Sequence, residues 1–452
     1  MKKGDKVLLF MGVFMVCMML YNVGANDIWF DTAFTIENSK RPLFDLLTDP
    51  QDVHPPLSYI VVKVWAWAYG YDIVSLRVLH IIFAVIGLLG ASMLGKIHGC
   101  RKQMIAIFAT SNLVFYYARE IRMYVMVLAI LIWATVYFEM YIRTHSRQDF
   151  ENAMLLGSVA VLFHYYAVFF LVWIYVYDAV RMKKLYIGFF GVLLWVYSFW
   201  YLFVQKSMIV RMWTKPVNAN SYISAIRYVW NVPINIHPPD IFTWAIVPLV
   251  VVMLCIYGYQ FVKGSRMKSY VFIAIGAPAF FMLLSLVTGA YHHRYLVMFA
   301  FAPMLVVANW ISCRDDRKLQ LFFVMLLGIL FSVIAQPNTE LSSANNYLRD
   351  SVGVDDIVLH ENGFSYLPSR VYSPDLTHVV LSEYSREQLF SFGLVVWNES
   401  LVFYNQTAFN EFACVKGDVF YMKAELDYLP DSELVLELDG LNVTRQNGGE
   451  LC

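Results

Sequence analysis

Apolar residues dominate this chain in blocks of about twenty, the length at which a helix crosses a bilayer, and short polar segments separate the blocks. Residues 1–6 are short and basic and precede an apolar run at 7–24. That layout resembles a signal peptide, but no small-residue cleavage site follows, so it reads as an uncleaved first span with its N-terminus inside. Further blocks fall at 74–94, 104–118, 122–142, 152–163, 166–180, 185–205, 241–262, 270–289, 295–312 and 319–336. The pattern predicts about eleven transmembrane helices. One long tilted helix in place of 152–163 and 166–180 would flip the side of everything after it.

The stretch 57–70 is apolar but only about half a span long. Charge decides its place. If it crossed the membrane, the basic loop GKIHGCRK at 95–102 would lie outside, against the preference of Lys and Arg for the cytoplasm. It is therefore expected to lie along the interface, which suits its Trp65, Trp67 and Tyr69. The inner loops then read GKIHGCRK, IRTHSRQ, RMKK, VKGSRMK and CRDDRK, all basic. The outer segments are the first loop at 25–73, AREIR, HYY, the stretch 206–240 and YHHR. The 206–240 stretch is too long and mixed for a plain connector and reads as a lid on the outer face.

Composition supports a polytopic membrane protein: 59% of 452 residues are hydrophobic, 17% are aromatic and mean hydropathy is +0.54. A soluble chain of this size has no means of hiding so much apolar surface. Net charge is zero, but its distribution is uneven. Residues 337–452 carry 18 acidic and 6 basic side chains, against 16 and 28 before them. This acidic tail reads as a small soluble α/β domain, with a helix at 341–350 and strands at 356–360, 377–381 and 393–397. An odd number of spans puts it outside the plasma membrane, opposite a cytoplasmic N-terminus. Asn-Xaa-Ser/Thr triplets at Asn398, Asn405 and Asn442 agree with that side. Cys414 and Cys452 both lie in the tail, and their spacing leaves open whether they pair. No basic patch suits nucleic acid. The cysteines show no metal-ligand spacing, and the sequence requires no cofactor.

Candidate chemistry gathers at the outer edges. Between Asn26 and Leu57 the chain holds Asp27, Asp31, Glu37, Asp45, Asp49, Asp52 and His54. Ionisable groups clustered at a membrane face suggest a site; a solvated loop is the plainer reading. Arg119 and Arg122, beside Tyr124 in YYAREIRMY, are three apart and would share a face of a helix. They suit a clamp on a phosphate, or equally a helix turn reaching water with Glu120 pairing one of them. His293 and Arg294 repeat the pattern in YHHRY. The histidine pair lacks a third metal ligand, so a divalent metal is open but unsupported. His164 interrupts an apolar stretch, where a hydrogen-bonded core histidine is the commoner outcome. Arg77 opens its span and suits the same phosphate or a lipid headgroup.

The order of these motifs resembles GT-C glycosyltransferases of the dolichyl-phosphate-mannose protein mannosyltransferase and lipid A aminoarabinose transferase type. The matching pieces are WFDTAF, DVHPPLSYIVVKVW, SLRVLHIIFAVIGLLGA, YYAREIRMYVMVLAI, HYYAVFFLVW and HHRYLVMFAFAPML, spread over residues 28–305. The resemblance implies a GT-C transmembrane domain at 1–336 and an extracytoplasmic domain at 337–452. It implies a cell-envelope transferase moving a hexose or pentose, mannose among them, from a polyprenyl (dolichyl) phosphate to a lipid, glycan or protein acceptor. In that family the first-loop acid is the catalytic base, and Asp31 matches it. The family often has Asp-Glu there, whereas this chain has Asp31-Thr32, leaving Glu37 or Asp52 as substitutes for the second acid. The substrate-binding set is then Asp52, His54, Arg77, Arg119, Arg122, Tyr124, His164, His293 and Arg294.

A sugar phosphate carries its own leaving group. One base to deprotonate the acceptor and cations to hold the departing phosphate suffice, and a single displacement inverts the anomeric carbon. A glycolipid transporter or flippase is the alternative. Such proteins more often show internal repeats and charges near the membrane midplane, and this sequence shows neither. A scaffold with a partner-binding tail leaves the outer arginines without a role.

Overall fold

Helices follow the apolar blocks wherever the computed structural model describes the chain. The described residues are 3–21, 23–24, 27–49, 52, 54–177, 267–276, 293–313, 340–353, 355–360, 363–381, 402–403, 418–423, 433–438 and 441–447. The spans expected at 185–205, 241–262 and 319–336, most of 270–289, the 206–240 stretch, the strand at 393–397, Asn398, Asn405, Cys414 and Cys452 lie outside them. The chain divides into two units, one formed by Met1–Val23, His54–Ser58 and Asp72–Gln336, the other by Gly24–Val53, Tyr59–Tyr71 and Pro337–Cys452.

The first unit is helical. It contains α1 (Lys3–Leu20), while α2 to α4 belong mainly to the second unit, and it resumes with α5 (Ile73–Ile97), α6 (Arg101–Ala109), α7 (Asn112–Arg119), α8 (Tyr124–Thr144), α9 (Arg147–Phe163), α10 (Val168–Tyr177) and α11 (Phe301–Ser312). Two of the described helices, α5 and α8, are long and apolar enough to cross a membrane. α5 starts at Asp72, whose carboxylate accepts the backbone N–H of Val74 and Ser75 at 2.9 and 3.1 Å. It ends at Gly99, whose φ of +76° only glycine adopts readily.

α5 and α8 approach closely because α5 presents glycine to the seam. A Cβ on Gly90 would stand 2.7 Å from Ile132 and 3.1 Å from the Trp133 indole nitrogen, and one on Gly87 3.6 Å from Ala129 of α8 and 2.9 Å from Phe108 of α6. Small residues are how helices approach when water supplies no hydrophobic drive. Trp133 uses the closeness to donate to the Ile86 carbonyl at 3.0 Å. Along α1, Met11, Met15 and Met19 are buried while Leu9, Phe10 and Val13 are exposed, so apolar side chains lie on both faces of the helix.

The sequence treats 104–118 as one span, but the structure has two helices joined at Thr110-Ser111, with the Ser111 hydroxyl capping α7 by accepting from Val114 at 3.2 Å. At 152–180 there are two helices, not one, and the break falls at His164.

The second unit joins the first loop to the tail. It contains α2 (Phe30–Lys40), α3 (Leu43–Thr48), most of α4 (Leu57–Tyr69), α12 (Glu340–Ser351), α13 (Gly363–Tyr372) and the strands β1 (Ile357–His360), β2 (His378–Leu381), β3 (Val402–Phe403), β4 (Asp418–Lys423), β5 (Glu433–Leu438) and β6 (Leu441–Asn447). The strands form one sheet in the order β3-β2-β1-β4-β6-β5. The first four are parallel, and β6 and β5 are antiparallel. All four residues of β1 are buried, as a central parallel strand demands. Ala344 and Leu348 of α12 pack on Val358, Phe420, Met422 and Val443 of the sheet.

Residues 24–53 and 59–71, expected within the 1–336 domain, pack with the tail. α2 lies against α13. The Asp27 carboxylate accepts the backbone N–H of Leu341 at 2.7 Å and of Ser342 at 2.9 Å, capping α12 from far away in sequence. The Tyr372 hydroxyl receives the Ile28 N–H at 2.8 Å. Asp27→Ala removes a charged cap and leaves two helix-end donors unfilled, a loss of about 1–3 kcal/mol. Hydrogen exchange of the first turn of α12 is expected to quicken accordingly, with exchange in α8 unchanged.

A buried polar chain crosses the sheet of this unit. The Ser373 carbonyl lies 2.9 Å from His378 Nε2, so Nε2 carries the proton and donates. His378 Nδ1 is then bare and accepts from His360 Nε2 at 2.9 Å. His360 Nδ1 in turn accepts from the Ser365 hydroxyl at 3.1 Å. Asn345 joins the network, donating to Ser369 at 3.0 Å and accepting from the Ser373 hydroxyl at 2.7 Å. Every position is filled with both rings neutral. Burial holds His360 well below the usual histidine range and His378 at about 4, with the charges of His378 and Arg370 respectively adding to it. An unfolded histidine takes its proton near 6.5, so this contribution to stability is absent above that pH. As pH falls from 6.5 toward 4 the unfolded state binds protons that the folded state refuses, and stability drops. Exchange protection of β1 and β2, corrected for intrinsic rates, is expected to fall over that window, and His378→Gln should flatten the dependence.

Candidate functional site

Asp31 stands in the first turn of α2, a helix in which Thr32, Ala33, Phe34, Thr35, Ile36, Asn38 and Ser39 are all buried. So much burial fixes the helix and with it the half-buried carboxylate. Its backbone carbonyl accepts the Thr35 hydroxyl at 2.9 Å. The positive end of the helix dipole favours an ionised carboxylate there. At the other end of α2, the Lys63 ammonium reaches the carbonyls of Ser39, Lys40 and Arg41 at 3.4, 3.3 and 2.8 Å, and the Tyr71 hydroxyl reaches Ser39 at 3.0 Å. The other first-loop acids are placed differently. Asp49 pairs with Arg41 at 2.7 Å and is exposed, Glu37 pairs with Lys40 at 2.5 Å, and Asp52 accepts the buried Tyr59 hydroxyl.

In the helical unit, Arg77 and Arg119 hold the end of α1. Arg77 is 3% exposed and donates to the carbonyls of Arg119 at 2.9 Å and Val23 at 2.5 Å. Arg119 donates to Met19 at 3.2 Å and to Tyr21, and its guanidinium lies 4.8 Å from the Phe115 ring centre. The Met19, Tyr21 and Val23 carbonyls sit at and just beyond the last turn of α1, and that of Arg119 at the end of α7, where a helix leaves acceptors unfilled and favours positive charge. The Asp5 carboxylate meets Arg101 at 3.0 Å at the opposite end of α1.

Arg119 and Arg122 do not share a helical face. α7 closes at Arg119, Glu120 is extended at φ −87° and ψ 125°, and α8 begins only at Tyr124. The break turns the two guanidiniums to different tasks. Arg122 is 5% exposed and lies within electrostatic reach of His164. A permanently charged group in such a place is where an anion is most strongly favoured.

Around Arg122 the structure gathers residues that are far apart in sequence. The His164 ring lies 5.0 Å from His54, 4.8 Å from Tyr295 and 6.0 Å from Tyr124, centre to centre. Tyr295 also meets Tyr166 at 4.9 Å and His54 at 6.1 Å, and Tyr124 continues to Tyr117 at 5.1 Å. His54 comes from HPPL, Arg122 and Tyr124 from the turn into α8, His164 from the α9–α10 break, and Tyr295 from the 3-10 turn His293–Phe299. Four of the sequence motifs thus meet at one cluster. Arg294 is half-buried in the same 3-10 turn, and His293 opens it.

Tyr295 and Tyr59 were not singled out from sequence. Tyr295 stands inside the YHHRY motif, so its neighbours carried a signal; Tyr59 had none beyond following HPPL. Among the described residues no three histidine, cysteine, aspartate or glutamate side chains converge as metal ligands would.

A search of solved structures matches the chain to the apo crystal structure of ArnT from Cupriavidus metallidurans at a TM-score of 0.55 and 11% identity, over 98% of each chain. The crystal structure of that protein bound to undecaprenyl phosphate aligns at a TM-score of 0.49 and 10% identity, over 97% of each chain. The Archaeoglobus fulgidus oligosaccharyltransferase in complex with Zn and sulfate aligns at 0.48 and 10% identity, over 92% of this chain and 67% of that one. No family model matches the sequence, and no curated protein matches it. The likeness to apo ArnT shows that the chain shares that protein's fold.

Proposed function

We propose that this chain is a membrane glycosyltransferase that moves a sugar from a polyprenyl phosphate to an acceptor on the outer membrane face, with inversion. The observation that carries the reading is the fold shared with ArnT over 98% of both chains. The ordered motifs from WFDTAF to HHRYLVMF support it, as does the burial of Arg122 among residues from four of them. About eleven spans, an inside N-terminus and an outside α/β tail complete the arrangement.

In the reaction, the acceptor oxygen or nitrogen attacks the anomeric carbon as the bond from that carbon to the phosphate oxygen breaks. The acceptor proton passes to Asp31 and the polyprenyl phosphate departs with the electron pair. Asp31 suits the role because a carboxylate at a helix N-terminus is ionised and ready to accept. Arg122 and Arg294 hold the phosphate as its charge grows. Arg77 and Arg119 engage backbone carbonyls at the ends of α1 and α7, and we assign them a positioning role.

Purified protein with a radiolabelled polyprenyl-phosphate sugar tests the reading. An enzyme converts the donor to polyprenyl phosphate and a labelled acceptor. Donor moved unchanged across a vesicle membrane would instead establish a transporter, and donor left untouched, with a membrane extract as acceptor source, would remove the function.

A further inference from the structure

His164 has one ring nitrogen whose role the fold explains and one whose role it does not. The helix that includes Phe163 ends there, and His164 is extended at φ −157° and ψ 121°. Its Nδ1 accepts the backbone N–H of Tyr166 at 3.2 Å, which caps the short 3-10 turn Tyr165–Ala167 that leads into α10. A nitrogen that accepts from an amide carries no proton of its own. In the neutral ring the proton therefore resides on Nε2. Nε2 is buried and meets no hydrogen-bond acceptor among the described residues. The whole residue is 4% exposed.

A buried N–H donor without an acceptor costs about 1–3 kcal/mol relative to a satisfied one. A phenylalanine would fill the aromatic cluster of His54, Tyr124, Tyr166 and Tyr295 without that penalty, at the cost of the Tyr166 cap. Among the described residues the Nε2 donor has no acceptor, which leaves it available to a bound group. Its surroundings name the chemistry. His54 and the buried Arg122 guanidinium both act on the ring electrostatically, and a buried guanidinium suits an anionic ligand. The fixed tautomer excludes His164 Nε2 as a proton acceptor, because its lone pair is taken by the proton. The same tautomer excludes it as a metal ligand while the Tyr166 bond stands.

Resting on the proposed transferase reading, we infer that His164 is a binding residue whose Nε2–H donates to a phosphate oxygen of the polyprenyl carrier alongside Arg122. It is a neutral donor beside a cation. It contributes direction where the guanidinium contributes charge, and it holds the phosphate without adding a second positive charge to a buried cluster. The break between α9 and α10 then has a purpose, since an uninterrupted helix would supply Tyr166 with a backbone partner and leave Nδ1 without its fixed role.

Binding of polyprenyl phosphate to the detergent-solubilised protein tests this, with polyprenol and inorganic phosphate as the two other probes. His164→Phe keeps the aromatic bulk and removes both the Nε2 donor and the Nδ1 acceptor of the Tyr166 N–H, and His164→Asn, which can still accept from Tyr166 but is too short to reach the phosphate, separates the two losses. The affinity of His164→Phe for polyprenyl phosphate is expected to fall on the order of tenfold, the effect of one hydrogen bond to a charged group. Polyprenol binding should be unchanged. A matching fall with inorganic phosphate would locate the contact at the phosphate itself, and no binding of inorganic phosphate by the wild type would show that the lipid is needed to deliver it. His164→Gln, which restores an N–H donor of similar reach, should recover much of the loss. In the unsubstituted protein with ¹⁵N-labelled histidine, one protonated Nε2 signal should move as polyprenyl phosphate is added. Equal affinity in a folded His164→Phe, or binding that shifts no histidine signal, would overturn the inference and leave the transferase reading intact. A wild-type protein that binds no polyprenyl phosphate would overturn both.

Discussion

Asp31→Asn is expected to fold, to bind polyprenyl phosphate as the wild type does, and to turn over about a hundred- to ten-thousandfold more slowly, the range over which a general base acts. Asparagine has nearly the shape of aspartate but takes up no proton near neutral pH. The seven buried residues of α2 secure the helix whichever side chain stands at its first turn. Exchanging the charge at a helix N-terminus costs only about 0.3–1 kcal/mol, so loss of rate and loss of fold separate cleanly. The neighbouring acids supply the controls. Asp49 is exposed and paired with Arg41, an arrangement worth at most about 1 kcal/mol, so Asp49→Asn should leave turnover within about twofold. Asp45→Asn belongs to the same control group. Steady-state rates with saturating donor decide it. Near-normal turnover in Asp31→Asn would sink the mechanism. A strong loss in Asp52→Asn instead would move the base to the segment that leads into HPPL, where the Tyr59 hydroxyl already holds a carboxylate.

How far the sequence could be read depended on how local the cause was. The long apolar runs at 74–94 and 122–142 became α5 and α8 with ends shifted by a few residues, because burial and length alone specify such helices. The apolar runs DIVLH and THVVL became β1 and β2 for the same reason. The strands β5 and β6 were not anticipated. ELVLEL and LNVTRQN are short and mix charged or polar residues with apolar ones, without the continuous apolar run that marks a buried parallel strand. The break after Arg119 was not legible either. YYAREIRMY contains no glycine or proline, and the helix stops where Arg119 reaches the carbonyls of Met19 and Tyr21, about a hundred residues back. Spacing rules assume a continuous helix, so the shared face they assigned to Arg119 and Arg122 disappeared with it.

The same distance effect explains Arg77 and Asp27. From sequence, an arginine at the start of a span looks like an anion ligand or a lipid anchor. Its partners here are carbonyls at the end of α1 and α7, which no local pattern announces. Asp27 looked like one acid among six in a solvated loop, and in the structure it caps a helix of the tail. The chemistry of each group was readable, a donor in need of oxygen and a carboxylate in need of N–H. Which atoms answered that need was set by the fold. The cluster around His164 is the opposite case. Each of its motifs was noticed singly, and only their convergence required coordinates.

Arg122 is expected to separate from its two neighbours by what each loss does. Arg122→Met keeps most of the stem and volume of a buried side chain and removes the charge, avoiding the cavity that alanine would leave. A charge-assisted hydrogen bond to phosphate is worth about 1.5–3 kcal/mol, which predicts a roughly ten- to hundredfold fall in donor affinity or in kcat/KM. Arg122→Lys restores the charge without the planar fork and should recover part of that loss. Arg77→Met and Arg119→Met strip donors from carbonyls at the end of α1, so they should lower thermal stability, with donor KM in the surviving folded protein close to wild type. Melting temperature and donor KM measured on all four variants distinguish the roles. If folded Arg122→Met uses the donor as the wild type does, Arg122 leaves the phosphate site. If Arg77→Met or Arg119→Met raises donor KM at unchanged stability, the clamp belongs to the guanidiniums at the end of α1, and the cluster around His164 has another occupant.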